Sequence, residues 1–326
     1  MRFLRKKTVL SFVTGYLLSL APLVISDHAS AGPKKLSIAM ITWRGETDAE
    51  AGFKAAVKEL GYDVTYTSID AGQNQQNLVR LLNEQIKPGV FSYIYTFGTT
   101  TSVTAKEFLK GTTPQIFNVV SFPVGARLVK SEEASQENIT GVSNFSNASE
   151  QMINARKILK FKRLGVMYNA NEMNSVITRN KLEEVGLDLG FVVVDLKIPP
   201  KLEDAEKNME LIAAKKGEYD VLYTGADSFV LSAAKVIGKV IAGRKIIAIG
   251  GSADLIKNGS YVMGTYPDYR ECGIMAAKIV DRHQKGEKIE VIPVQRPQPK
   301  FYIVTERAAS LGIKIPPEMK GKFTEL

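Results

Sequence analysis

The chain has 326 residues and a formal net charge of +9, with one Cys and two His. Its length suits two domains, the lone Cys excludes an internal disulfide framework, and so few His exclude a histidine-built metal centre. Cations interleave with acids, as in Lys54, Lys58 and Glu59 or Glu203, Asp204, Glu206 and Lys207, so solvated helix faces are expected and a nucleic-acid groove is not.

At the amino end, Arg2, Arg5, Lys6 and Lys7 precede an apolar run from Val9 to Ile25, and Ala29, Ser30 and Ala31 form a small-residue site ahead of Gly32. A retained anchor is the alternative reading. Thr14, Gly15, Ser19 and Pro22 interrupt the run, which favours a cleaved export signal over 1–31 and a periplasmic mature protein. No Cys follows the site, which argues against a lipid anchor. About 295 residues then remain, without a second run able to span a bilayer.

Short β-branched runs alternate with segments of helical period from Leu36 onward. Leu36–Ile41 reads as a buried strand, and Asp48–Leu60 as a helix with Ala51, Phe53, Ala56, Val57 and Leu60 on one side. Strands at 64–67, 93–96 and 116–120, with helices at 74–85 and 100–109, close a first set. A second follows the 138–143 stretch and a helix at 149–159. Its strands are 164–168, 192–196, 221–224, 246–249 and 262–265, and its helices 175–189, 202–214, 228–241 and 269–284. A strand at 301–305 with a short helix returns to complete one lobe. This grammar predicts an α/β protein of two doubly wound parallel-sheet lobes with a ligand cleft between them. The expected division is 32–143 plus 266–287 for one lobe and 144–265 plus 288–326 for the other.

In such lobes, loops at the carboxyl ends of strands line the crevice, and helix N-termini there favour an anionic or zwitterionic small molecule. The candidate contacts are Trp43, Arg44, Phe97, Thr99, Thr100, Ser121, Phe122, Tyr168, Asn169, Glu172, Asn174, Ser175, Asp227, Ser252, Tyr266 and Tyr269. Each has a plainer role. Thr99, Ser175, Ser228 and Ser252 stand where helix N-caps fall. Asp227 either meets a ligand ammonium or caps the next helix. Trp43 either stacks on a ligand or covers the hinge, and Arg44 holds a carboxylate or lies in water.

No phosphate-binding glycine fingerprint, P-loop or Gly-x-Ser-x-Gly motif occurs, so neither cofactor, metal nor catalytic residue is expected. His283, the one histidine beyond the signal, lies in a charged helix end and reads as solvated or dipole-paired. A hydrolase working through carboxylates alone stays open. Cys272 falls in an apolar register with Ile274 and Ala276 and reads as a buried thiol.

Five stretches, Pro123–Val129, Asn138–Ser143, Gly165–Asn169 with Glu172–Ser175, the Asp227 turn, and Asp268–Tyr269 ahead of Gly273, resemble the periplasmic substrate-binding proteins of ATP-binding-cassette importers, in the tryptophan- or tyrosine-binding branch. The resemblance implies a two-lobe type I periplasmic binding fold, a permease partner, and a monomer. It implies that the Asn174-Ser175 and Thr99-Thr100 turns meet a ligand carboxylate while Asp227 meets its amino group. Phe122 stands where that family commonly has an acid, Arg127 where it has Gly, and the Trp43–Glu46 loop differs. An aromatic amino acid is therefore one cargo among several, beside a hydrophobic carboxylate, a peptide-like compound or a nucleobase derivative. Hinges are expected near 141–144 and 265–268. A sensory module reporting to a membrane receptor is the alternative role; a transcription regulator is disfavoured because no helix-turn-helix precedes Leu36.

Overall fold

The computed structural model describes residues 34–326 apart from 88 and 259; the expected export signal lies outside them. No described helix is long and apolar enough to cross a membrane.

The first sheet collects β1 (Lys34–Thr42), β2 (Tyr62–Asp70), β3 (Tyr93–Phe97), β4 (Gln115–Asn118) and β5 (Ile139–Val142) in the order β2-β1-β3-β4-β5, all parallel. β1 shows why helices cover both faces. Ile38 and Met40 pack with Phe53 and Val57 of α1 (Asp48–Glu59), whereas Ala39 and Ile41 pack with Leu78 and Leu82 of α2 (Gln75–Gln85). α1 opens with a reciprocal capping box between Thr47 and Glu50. α3 (Thr99–Leu109) completes the βα units of this lobe.

The second sheet has the order β12-β11-β10-β9-β8-β6-β7. Its central strands β6 (Arg163–Asn169), β7 (Val192–Ile198), β8 (Val221–Thr224), β9 (Ala248–Gly250) and β10 (Met263–Tyr266) run parallel. The returning strand β11 (Lys300–Ile303) is antiparallel to β10, and the two-residue β12 (Thr324–Glu325) closes the edge. α4 (Ala148–Ile158) and α5 (Met173–Leu189) cover one face. The other carries α6 (Ala205–Ala214), α7 (Ser228–Ser232), α8 (Ala234–Gly243) and α9 (Ala253–Asn258). α11 (Thr305–Ser310) packs its Ala308 on the α4 side.

α10 (Tyr269–Gln284) leaves the second sheet to pack on α1 of the first lobe. The two helices touch backbone to backbone: a Cβ on Gly273 would stand 2.0 Å from the Ala49 carbonyl oxygen, and one on Gly52 would stand 2.4 Å from that of Arg270. Cys272 is free and buried in this contact, in the apolar register read from the sequence.

Four expectations are corrected. The 139–142 stretch is a full strand, not part of a connection, because Gln115–Asn118 pairs with all four of its residues. The 228–241 helix divides at Ala233 (φ −91°, ψ 6°), where Ser232 Oγ donates to the Ser228 carbonyl, a local bond that bends helices. The segment from Lys288 stays with the first lobe: Ile289 and Ile292 are buried in its core, Thr140 Oγ1 donates to the Ile292 carbonyl, and Gln295 bridges to Val142. Three segments therefore connect the lobes, after β5, after β10 and after Gln295. Finally, His283 is half-buried and meets Tyr93, a partner that neither expected role included. Its Nδ1 lies 2.6 Å from the Tyr93 hydroxyl and its ring stands edge-on to that tyrosine, with burial lowering its pKa.

Candidate functional site

The carboxyl ends of the two sheets face one another. After β1, the chain places Arg44 so that its Nη2 donates to Asp254 Oδ2 of α9 at 3.5 Å, from one lobe to the other. The guanidinium lies 5.7 Å from the centre of the Phe97 ring, which meets Tyr269 edge-on at 6.0 Å. The Arg44 side chain is only 12% exposed, and its Nε is buried without a partner. Arg44, Asp254, Tyr266 and Tyr269 share a cavity of about 880 Å³ with α7 and α8 of the second lobe and the Asp268–Arg270 turn of the first. Its size is within the range of small-molecule sites. Tyr266 is held against Tyr302, the rings stacked at 4.3 Å.

A second, smaller cavity of about 150 Å³ lies by the hinge between Ser121, Phe122, Asn144, Phe145, Thr178 and Gly251. Ser121 Oγ donates to Asn144 Oδ1 at 3.0 Å, and Phe122 meets Phe145 edge-on. On this side the lobes also touch, since a Cβ on Gly125 would stand 3.4 Å from Ile177 Cδ1 of α5.

The third group is a buried carboxylate pair at the starts of α5 and α7. Asp227 is 1% exposed and is the N-cap of α7. Its Oδ1 accepts from the Phe229 and Val230 amides, and its Oδ2 from the Asn169 amide and the Ser175 hydroxyl, at 2.6–3.1 Å. Those four donors fill the carboxylate. Glu172, the N-cap of α5, accepts the Ser228 amide on both oxygens. Burial first, and then the Asp227 charge, push its pKa up to about 7; burial raises that of Asp227 too.

The structure thus sorts the sixteen candidates. It brings Arg44, Phe97 and Tyr269 together with Tyr266 nearby, joins Ser121 to Phe122, and ties Asn169, Glu172 and Ser175 to Asp227, with Asn174 Nδ2 on the neighbouring Ala226 carbonyl. Thr99 and Thr100 stand half-buried in the first turn of α3, where Gly98 and not Thr99 is the N-cap. Ser175 and Ser228 likewise do not cap: Glu172 holds the N-cap position of α5 without a side-chain bond to that helix, and Asp227 caps α7. Ser252 is buried with its hydroxyl unpartnered. Trp43 packs against the first-lobe core cluster that holds Ile69 and Leu78, and it lines neither cavity. Tyr168 lies beside Asp195 and Arg179 on the β7 side, outside both cavities. Asp254 and Asn144 are site residues absent from the sixteen candidates; Asn144 ends the expected 141–144 hinge, and Asp254 follows the candidate Ser252 by two residues. Arg127 takes φ 57°, in the left-handed region that glycine adopts most readily.

Paired doubly wound sheets whose strand ends face across a cleft define a two-lobe solute-binding protein of the type I periplasmic binding fold. Residues 38–325 match the family described as ABC transporter substrate binding protein, and the chain belongs to it. It is 26% identical over 266 residues to a "Tyrosine-binding protein" of Clostridioides difficile (strain R20291), covering 80% of this chain and 75% of that one. Among solved structures it is similar to an ABC domain in complex with L-Trp from Streptococcus pneumonia (TM-score 0.82, 18% identity, 90% of this chain and 99% of that chain). It is also similar to a ligand-free, open substrate-binding protein with adhesive properties from Clostridium difficile (TM-score 0.64, 21% identity, 89% and 99%).

Proposed function

We propose that the chain captures a small zwitterion with an apolar side chain between its lobes, outside the inner membrane, and delivers it unaltered to an importer's membrane permease. The observation that carries the reading is Arg44. A guanidinium taken out of water with an unpartnered Nε and one long contact to Asp254 has donors left for a carboxylate. Asp254, 40% exposed, is the acid opposite, free to turn to an ammonium group. Tyr266 and Tyr269 line the cavity and supply apolar wall, with Phe97 packed behind Arg44 and Tyr269. The tyrosine named for one relative and the L-Trp held by one structural neighbour support an aromatic amino acid as the first cargo to test.

Contacts from both lobes favour the closed arrangement, because a ligand shifts such an equilibrium only by what it gains in that state. Three connecting segments, after β5, after β10 and after Gln295, serve as the hinge.

Isothermal titration with L-tryptophan, tryptamine and indole-3-propionate tests the charge reading. The zwitterion should bind with a Kd on the order of 1 μM, about −8 kcal/mol, and each analogue at least tenfold more weakly. Equal binding of either analogue overturns it.

A further inference from the structure

The amino ends of β6, β7 and β8 form the pole of the second lobe opposite the cleft. There the chain runs Arg156-Lys157-Ile158-Leu159-Lys160-Phe161-Lys162-Arg163, and Lys215 and Lys216 join from the turn before β8. Arg163 Nη1 donates to the Gly217 carbonyl at 2.7 Å, which fixes that turn beside the run. Arg163 pairs with Asp220, whereas Arg156, Lys157, Lys160 and Lys162 have no ion-pair partner among the described residues. Asp188 and Glu218 are exposed acids of the same end, too few to neutralise it.

Beside these cations an open groove of about 1130 Å³ runs between Phe161 and Phe191 at its base and Leu187 and Val192 on its rim. Leu187 is 83% exposed and Val192 61%. The Arg156 guanidinium lies over the Phe161 ring at 5.4 Å, which holds a cation at the edge of the groove.

We propose that this pole docks on an anionic phospholipid bilayer, its lysines and arginines meeting headgroup phosphates while Leu187 and Val192 enter the interfacial layer. Cation clusters beside exposed apolar side chains suit such a surface by charge complementarity, and the attraction falls with salt. Because the cleft is at the opposite strand ends, docking leaves it free to open.

The test is co-sedimentation of the chain from Pro33, a compact unit of its own, with vesicles of equal phosphatidylglycerol and phosphatidylcholine or of phosphatidylcholine alone, in 50 mM and 500 mM NaCl. Binding is expected only to the anionic vesicles and is lost at high salt. The double change Lys160→Glu and Lys162→Glu, at exposed positions that leave the circular dichroism unaltered, should lower partition at least tenfold, and Leu187→Ser severalfold. Equal binding to neutral vesicles, no binding to either, or full retention in the double variant overturns the proposal. So does complete competition by inorganic phosphate at matched ionic strength, which would assign the groove to a free anion.

Discussion

Arg44 and Asp254, 210 residues apart in the chain, meet at 3.5 Å across the cleft. The separation is long for a charged pair, and the guanidinium is buried while the carboxylate is partly wet. A pair so arranged gains little from its own attraction, and in the proposed function it divides the two charges of a guest.

Removing Arg44 should therefore weaken a carboxylate-bearing ligand strongly. Arg44→Ala is expected to cost about 2 kcal/mol of affinity, near thirtyfold, as truncation of one partner in a buried charged contact does. Arg44→Lys should recover only part, since lysine lacks the planar fork. Titration of both variants with the ligand bound by the wild type checks this; unchanged affinity in Arg44→Ala places the carboxylate elsewhere.

Asp227 is expected to matter for stability before it matters for binding. Asp227→Ala strips a helix cap, takes the shorter of two acceptors from the Asn169 amide and leaves the Ser175 hydroxyl proton buried without one, a loss of about 2–3 kcal/mol. Urea unfolding should show a lower midpoint with unchanged slope. An unaltered midpoint together with lost binding would return Asp227 to the ligand.

Glu172 makes stability depend on pH with a definite sign. Its folded pKa is raised from the ordinary value of 4.5 to about 7, so protonation favours the folded state. The contribution is complete below about pH 4.5 and is lost as pH rises through about 7. Glu172→Gln should flatten that part of the melting-temperature profile. A wild-type profile that rises over the same interval more steeply than the variant's would contradict the assignment.

The α1–α10 contact leaves no room for a methyl group. Gly273→Ala forces a carbon into the Ala49 carbonyl and should cost about 2–3 kcal/mol as overpacking against backbone. Thermal melting that shows no decrease would mean the helices slide apart freely.

Much of the architecture was legible because strand and helix periods alternate cleanly, as in Ile38–Ile41 followed by the Phe53 and Val57 face. What escaped did so for local reasons. Ile139–Val142 contains Thr140 and Gly141, which dilute an apolar run to the look of a connection. α9 is six residues long, too short to show a period, and so Asp254 went unremarked. The site was harder to read than the fold. Serines at helix starts looked like caps, yet Asp227 caps α7 and draws the Ser175 hydroxyl into its own network as a donor. Trp43 and Tyr168 sit near strand ends as expected, but which side of the sheet an aromatic ring takes is decided by neighbours such as Leu78 and Asp195, distant in sequence.

Closure of two lobes on one compact solute is tested most directly by small-angle scattering of the protein during titration with the amino acid it binds best. We expect the radius of gyration to fall in step with occupancy and to reach its limit at saturation. A tight ligand that leaves the radius unchanged would contradict capture between the lobes.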